Sequence, residues 1–196
     1  MNSRRSRVLL HLCCAGCSPH VVEVLRRDHD VTGYFYNPNI HPEPEYRLRL
    51  EEAERLAEHL GFELISGAYD VERWFAATKG LEHEPEGGAR CEVCFRLRLE
   101  DTGQRARQGG FDAFTTTLTV SPHKNARLIN AIGAAAGEGC GVDFLERDFK
   151  KGHGFVRTIS LCREMGLYRQ DYCGCLYSQR ERSPSASEEK REHDGC

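Results

Sequence analysis

The 196-residue chain lacks several features, and each absence excludes a class of protein. It has no run of 18 apolar residues, so we predict no transmembrane helix. Its first residues combine basic side chains with a short apolar run but offer no full signal-peptide core and no small-residue cleavage site, so we predict a cytoplasmic protein. The usual nucleotide-binding fingerprints, G-x-x-x-x-G-K-[ST] and G-x-G-x-x-G, do not occur.

A strong positive charge is also missing. The formal net charge is −3, so the chain as a whole is not typical of a nucleic-acid-binding protein. The charge is nevertheless uneven, because residues 41–86 hold 12 acidic against 5 basic side chains and residues 147–182 hold 8 basic against 4 acidic ones. The basic segment indicates either ordinary solvated helix faces or a local surface for nucleic acid.

Cysteine, by contrast, is abundant. The chain holds ten cysteines within an otherwise ordinary composition of 39% hydrophobic and 29% charged residues. In a small secreted protein they would predict disulfides. In a chain of this length that we expect to be cytoplasmic, they favour metal binding or redox chemistry.

Hydrophobic patterning predicts alternating strands and helices. Runs such as "VTGYFY" are typical of buried strands, and "EYRLRLEEAERLAEHLG" has helical spacing with Gly61 placed to end the helix. This alternation predicts one α/β domain over residues 1–178, a Rossmann-like, mostly parallel sheet with helices on both faces. Residues 179–196 are almost without apolar side chains and are predicted to be a disordered tail.

Two Ser-Pro pairs predict where helices begin. Ser18 and Pro19 are suited to an N-cap and a first helical turn. Ser121 and Pro122 offer the same signal after "FDAFTTTLTV", which we predict to be a strand throughout.

Three polar loops follow predicted strands: the cysteine loop after "RVLLHL", "NPNIHP" after the second strand, and "SPHKN" after the "TTTL" strand. The carboxyl ends of parallel strands share one edge of the sheet, where ligands bind in such folds. We therefore predict a cysteine-rich site at that edge. The polar side chains expected to meet a substrate there are Asn37, Asn39, His123, Lys124 and Asn125.

The cysteine spacing predicts a metal centre. The vicinal pair Cys13–Cys14 and the C-x-x-C pair Cys91–Cys94 together offer four thiolates, enough for a [4Fe–4S] cluster or a Cys₄ zinc site. A vicinal pair is unusual in structural zinc sites, and further thiols such as Cys17 are left over. Both facts favour iron–sulfur over zinc.

A separate signal is "CGC", in which Cys173 and Cys175 flank one glycine. This spacing permits a strained, easily reduced disulfide or two thiolates directed at one metal. Cys162 lies in an amphipathic pattern that is typical of core packing, and Cys140 and Cys196 receive no role.

Four motifs in register resemble the QueH-type epoxyqueuosine reductases: "LLHLCCAGCSP", "FYNPNIHPEPEY", "EHEPEGGARCEVCFRLRL" and "YRQDYCGCLYS". The similarity runs from about residue 8 to residue 178. One departure is Gly16, which stands where the family usually has proline, and residues 140–155 match only loosely.

The resemblance implies an iron–sulfur oxidoreductase for the last step of queuosine biosynthesis, in which an epoxide at the wobble position of tRNA is reduced to an alkene. It implies that Cys13, Cys14, Cys91 and Cys94 hold the [4Fe–4S] cluster. It further implies that Cys173 and Cys175 form a redox-active pair, or bind a second, mononuclear iron together with Cys17. The partners implied are the tRNA anticodon loop and an unidentified electron donor.

Two other functions fit parts of the pattern. A zinc-stabilised nucleic-acid-binding protein without catalysis would use four of the cysteines but gives Cys173 and Cys175 no role. An ATP-using tRNA-thiolating enzyme would need an S-G-G-x-D-S loop after the first strand, where this chain has "CCAGCS". The thiolating enzyme is the weaker alternative.

Overall fold

The computed structural model of the chain describes residues 4–182. Five strands and seven α-helices alternate along them. The strands are β1 (Ser6–His11), β2 (His29–Phe35), β3 (Leu64–Ser66), β4 (Ala113–Thr116) and β5 (Asp143–Phe144). The helices are α1 (Pro19–Leu25), α2 (Glu43–Leu60), α3 (Val71–Thr78), α4 (Ala89–Gln108), α5 (Ala126–Cys140), α6 (Gly154–Glu164) and α7 (Leu176–Glu181), with 3₁₀ turns at Ala15–Cys17 and Thr117–Val120.

All four strand pairings are parallel, in the order β3-β2-β1-β4-β5. The order reverses beside β1, whose last residue, His11, lies opposite Tyr34 of β2 and Thr116 of β4. Crevices at such reversal points are where open parallel sheets bind ligands. The predicted α/β class and the predicted meeting of the three polar loops at one edge are both confirmed.

Helices cover both faces of the sheet, as predicted. Successive residues of β1 point to opposite faces, so Leu10 packs in the core with Val21 of α1 and Leu56 of α2. Leu9 packs in the other core with Leu99 of α4. The sheet is buried on both sides, which explains why its strands read as continuous apolar runs.

The predicted end of a helix or strand is correct where a single residue determines the backbone conformation. Gly61 ends α2 in the left-handed conformation, with φ 65°, which only glycine adopts without strain. The predicted strand "FDAFTTTLTV" is too long, because β4 ends at Thr116 and the chain then turns through a 3₁₀ segment.

The first Ser-Pro prediction is confirmed in position, and the second is wrong. Ser18 is the N-cap residue of α1 and Pro19 its first residue, although the Ser18 hydroxyl donates to the carbonyl of Cys14 (2.7 Å) and makes no cap hydrogen bond. Ser121 and Pro122 do not begin a helix; α5 starts at Ala126, and the side chain of Asn125 accepts the cap hydrogen bond from the Leu128 amide (3.2 Å).

The predicted tail also begins too early. Helix α7 continues to Glu181, inside the segment predicted to be disordered, and the rest of that prediction lies outside the described residues. Within residues 4–182, no helix is both long enough and apolar enough to cross a membrane.

Candidate active site

Three thiols meet directly after β1. The chain leaves the strand at His11, and the 3₁₀ turn brings the sulfurs of Cys13, Cys14 and Cys17 within 4.8 Å of one another. The Cys13 and Cys14 sulfurs are 3.9 Å apart. In the part of the chain that the structure describes, no other three histidine, cysteine or acidic side chains bring their ligand atoms so close together.

The surroundings hold this turn in place. Thr117, after β4, accepts from the Cys13 amide (3.0 Å) and directs its hydroxyl at the Cys13 sulfur (3.2 Å). The Gln170 side-chain amide donates to the Cys14 sulfur (3.0 Å). The Cys162 thiol donates to the carbonyl of Gly16 (3.0 Å), so Cys162, predicted as a core residue, also supports the cysteine loop.

The pKa values of the three thiols are shifted in different directions. Hydrogen bonds from Cys14 and Cys17 hold the pKa of Cys13 well below its usual range. The hydrogen bond between Cys14 and Cys13 raises the pKa of Cys14 to about 12. Hydrogen bonds with Cys13 and Cys14 raise the pKa of Cys17. Cys13 is therefore the thiol of the three that ionises most readily, and the thiolate is the form that binds metals.

Four further thiols form a second group. Cys91 and Cys94 lie three residues apart in the first turns of α4, so they share one helix face. Burial raises the pKa of Cys91 to about 11, and the neighbouring thiols of Cys173, Cys94 and Cys175 add to the rise against the lowering effect of the Gly87 amide. The Gly87 and Ser178 amides donate to the sulfurs of Cys91 (3.2 Å) and Cys175 (3.4 Å).

Arg98 lies between the two thiol groups. Its Nη1 is 4.0 Å from the Cys94 sulfur, and its Nη2 donates to Asn37 Oδ1 (2.5 Å). Its charge also lowers the pKa of Cys13, after the hydrogen bonds from the neighbouring thiols. One buried guanidinium thus acts on a cysteine of each group.

Lys124 is the second cation near both groups. Burial works to lower its pKa, but the electrostatic interaction with Cys173, Cys13 and Cys17, and with Glu86, outweighs burial and raises it. The ammonium is therefore charged at neutral pH, beside the sulfurs.

A cavity of about 380 Å³ opens onto both thiol groups. Its size suits a small organic group such as a nucleobase. Its walls are Cys13, Cys17, Glu86, Arg98, Leu118, Ser121, Pro122, His123, Lys124, Phe155, Arg169, Gln170, Asp171, Tyr172, Cys173 and Arg182.

The predicted substrate-binding residues divide into two sets. His123 and Lys124 line the cavity. Asn125 caps α5 instead. Asn37 and Asn39 are buried outside the cavity walls, and Asn37 is occupied at both ends, since it donates to the Leu12 carbonyl (2.9 Å) and accepts from Arg98. In the structure Asn37 supports the cysteine loop, which differs from its predicted role.

Residues 168–175 form a strap that carries Cys173 and Cys175 and lines one side of the cavity, and the contacts that hold this strap were not predicted from the sequence. Arg49 of α2 is 1% exposed and donates to the carbonyls of Cys173 (3.1 Å) and Tyr172 (3.3 Å). It also pairs with Glu45 (2.7 Å), which accepts from the Tyr168 hydroxyl (3.1 Å). Spacing alone indicates only an ordinary surface ion pair at these positions.

The contacts of Arg49 with Glu45 and with the strap lead to a stability prediction that has a matched control on the same helix. Arg49→Ala leaves Glu45 and two carbonyls without their partner, and we expect the free energy of unfolding to fall by about 3 kcal/mol or more. Arg47→Ala breaks an exposed pair with Glu43 at the same spacing on the same helix, and we expect about 0–1 kcal/mol. Denaturant unfolding measures the loss of unfolding free energy in each variant. Equal losses would contradict a stabilising role for the buried Arg49 contacts.

All nine cysteines in residues 4–182 are free thiols, and the redox-active pairing of Cys173 with Cys175 stays a prediction. The loop has room for a side chain at Gly16, because a Cβ there would meet nothing closer than the Tyr168 carbonyl at 3.5 Å. Cys140 is buried, and its thiol donates to the Gly137 carbonyl (3.5 Å).

The donor set fits an iron–sulfur centre. Thiolates are the ligands such clusters use, and hydrogen bonds to their sulfurs are typical of the surroundings. Here amides or hydroxyls are directed at the sulfurs of Cys13, Cys14, Cys91 and Cys175. The buried indole Nε1 of Trp74 has no hydrogen-bond partner and packs with Cys94 and Cys175.

Comparison with known proteins gives consistent matches. A family model described as "Epoxyqueuosine reductase QueH" matches residues 8–181. The chain is similar to proteins named epoxyqueuosine reductase QueH from three bacteria. They are those of Streptococcus pyogenes serotype M1 (40% identity over 90% of this chain and 71% of that protein), Histophilus somni (43%; 90% and 73%) and Thermotoga maritima (39%; 94% and 96%).

Among solved structures, the chain is similar to the U34-tRNA thiolase NcsA of Methanococcus maripaludis with its [4Fe-4S] cluster. The TM-score is 0.57 at 14% identity, covering 98% of this chain and 69% of that one. At this identity the likeness concerns the fold alone.

Proposed function

The chain belongs to the epoxyqueuosine reductase QueH family, and from that membership we propose that it reduces epoxyqueuosine in tRNA to queuosine. The observation that carries the proposal is the convergence of two thiol groups and the Lys124 ammonium on one cavity. Binding tRNA without catalysis would not require two groups of free thiols beside an open cavity.

The reaction sets what the site must supply. Two C–O bonds of the epoxide break, a C=C bond forms between the same carbons, and the oxygen leaves as water. This balance requires two electrons and two protons. An external electron donor must therefore act on the protein in each turnover.

We assign Cys13, Cys14, Cys91 and Cys94 to the [4Fe–4S] cluster, and Cys17, Cys173 and Cys175 to a second iron or a redox pair. When bound, such groups supply single electrons, and an iron with an open position supplies a Lewis acid for the oxygen. Arg98 interacts with Cys13 and Cys94, and Lys124 interacts with Cys173 and Cys13. These shared cations support a single site that includes both thiol groups.

The protein's own side chains position the substrate and move protons. Lys124 Nζ is charged at the wall of the cavity, where it can donate a hydrogen bond, and then a proton, to the departing oxygen. Residues 169–172 and Phe155 close other sides of the cavity. They exclude water from the reacting carbons and strengthen the interaction between the ammonium and the oxygen.

The tRNA would present its base from a single-stranded loop, because such bases can be splayed into a protein pocket. Lys124, Arg169 and Arg182 line the cavity and provide positive charge for the neighbouring phosphates. The basic segment predicted from sequence contributes less than its composition indicates, since Arg157 pairs with Glu23 (3.1 Å) and Lys150 with Asp148 (3.3 Å).

The test is metal analysis and turnover on protein purified without oxygen. We expect brown protein with iron and acid-labile sulfide in cluster stoichiometry, and conversion of epoxyqueuosine to queuosine in tRNA with a chemical reductant. Iron beyond the cluster would support the second site. Colourless protein with one tight zinc and no sulfide, even after reconstitution, would favour the zinc-stabilised binding protein instead.

A further inference from the structure

Trp74 occupies an unusual position beside the second thiol group. It is the one tryptophan of the chain, lies on α3 and is 1% exposed. Its ring packs with Cys94 and Cys175, and Tyr177 borders the same cluster. No sequence motif indicates a role for Trp74, because a tryptophan on an amphipathic helix usually packs in the hydrophobic core.

Its polar atom has no conventional partner. The indole Nε1 is buried and makes no hydrogen bond, and a buried donor left unpaired costs about 1–3 kcal/mol. The sulfur within reach of this N–H is that of Cys94, which packs in the same buried cluster as the ring.

The ring is packed among other aromatic side chains. The imidazole of His41 lies 5.0 Å from the indole between centroids, and the Phe75 ring lies 5.2 Å from it. On the same helix, the Thr78 hydroxyl donates to the Trp74 carbonyl (2.9 Å) and ties the two buried residues together. The indole therefore lies in a packed aromatic cluster beside the two thiols.

A neutral thiol is a weak acceptor, whereas an ionised sulfur makes hydrogen bonds roughly twice as strong as a neutral one. We propose that the indole N–H of Trp74 donates a hydrogen bond to the metal-bound sulfur of Cys94 and thereby raises the reduction potential of the centre that Cys94 helps to hold. This inference rests on the proposed function, because it requires a redox centre at Cys94.

The sign of the effect follows from charge. Reduction adds an electron to the centre and makes its sulfurs more negative, so a donor bonded to one of them stabilises the reduced state more than the oxidised state. Hydrogen bonds to sulfur are among the factors that set cluster potentials. Trp74 is in this sense a positioning and tuning residue, since it acts through Cys94.

The first test compares the iron-loaded wild-type protein with Trp74→Phe, which keeps an aromatic ring but removes the N–H. We expect unchanged iron and sulfide content and a lower potential. The ratio of reduced to oxidised centre at a fixed applied potential should fall about tenfold, which corresponds to about 59 mV for one electron. Phe75→Leu is the control, because it changes the adjacent ring without removing a donor, and its potential should match the wild type.

A second readout needs no variant. Because Trp74 is the single tryptophan, ultraviolet resonance Raman spectroscopy reports its indole N–H alone, and we expect the hydrogen-bond-sensitive band to shift when iron is loaded. Full iron content with unchanged potential in Trp74→Phe, or an unchanged band on loading, would overturn this inference and leave the proposed function standing. A wild-type protein that cannot be loaded with iron would overturn the proposed function itself, and this inference with it.

Discussion

Exchange of Cys94 for serine is expected to leave the protein folded but without its cluster, and to slow epoxide reduction on the order of 10³-fold or more, as the loss of one member of a catalytic unit does. Serine is nearly isosteric with cysteine, so the packing around this buried position changes little. A hydroxyl, however, does not replace a soft thiolate as a ligand of iron–sulfur clusters. Iron and sulfide analysis, circular dichroism and single-turnover kinetics measure the three effects.

The matched control is Cys162→Ser. Cys162 is equally buried and its thiol donates to the Gly16 carbonyl, a bond that a serine hydroxyl can also make. We expect this variant to keep its iron and its activity. Iron retained in Cys94→Ser, or lost equally in both variants, would show that Cys94 is not a ligand.

Cys17→Ser tests how the thiols are divided. Cys17 lies with Cys13 and Cys14 but belongs to the second set in our assignment. We therefore expect this variant to keep cluster sulfide and to lose only the iron in excess of the cluster. Loss of all sulfide would instead make Cys13, Cys14 and Cys17 joint ligands of the cluster.

Lys124→Gln is expected to lower the rate of the chemical step by about 10²–10⁴-fold, the usual contribution of a positioned proton donor. Glutamine keeps a polar side chain on the cavity wall but cannot give a proton to the departing oxygen. Because the ammonium is one of several cations there, tRNA affinity should fall much less than the rate. Single-turnover kinetics at saturating protein separates the two effects.

Lys151→Gln serves as the control for charge alone, since Lys151 is exposed and is not among the cavity walls. Its rate should match the wild type. Lys124→Arg should recover part of the lost tRNA affinity but little of the rate, because a guanidinium remains protonated in proteins. A Lys124→Gln variant with normal kinetics would assign proton delivery to another group, with Asp171 and His123 on the same walls as the next candidates.

Sequence reasoning succeeded where the information is local or periodic. Apolar runs indicate buried strands, and the loops that follow parallel strands lie at one edge of the sheet. The positions of Cys13, Cys17 and Lys124 at that edge could therefore be predicted. The same local signals failed at Ser121, because a Ser-Pro pair is compatible with both a helix start and a turn. Here the turn is formed, and it carries Lys124 to the cavity wall.

The charged residues inside the site could not be found in this way. Arg49 and Arg98 lie on helices whose polar faces read as solvated, and each is buried through partners far away in sequence: Cys173 and Tyr172 for Arg49, and Asn37 for Arg98. Nothing within one helical turn of either arginine indicates these contacts. The unpaired indole of Trp74 is likewise visible only once α3 and α4 are packed together.

The order of the thiols along the chain has a consequence for biosynthesis. Cys13, Cys14 and Cys17 leave the ribosome first, Cys91 and Cys94 follow near the middle, and Cys173 and Cys175 come close to the end of the described residues. Domains begin to fold from the N-terminal side during synthesis, yet the strap that Arg49 secures emerges only after the sheet is complete. A stalled nascent chain that ends before residue 173 therefore lacks Cys173 and Cys175, leaves the cavity without the strap and carries five of these seven thiols.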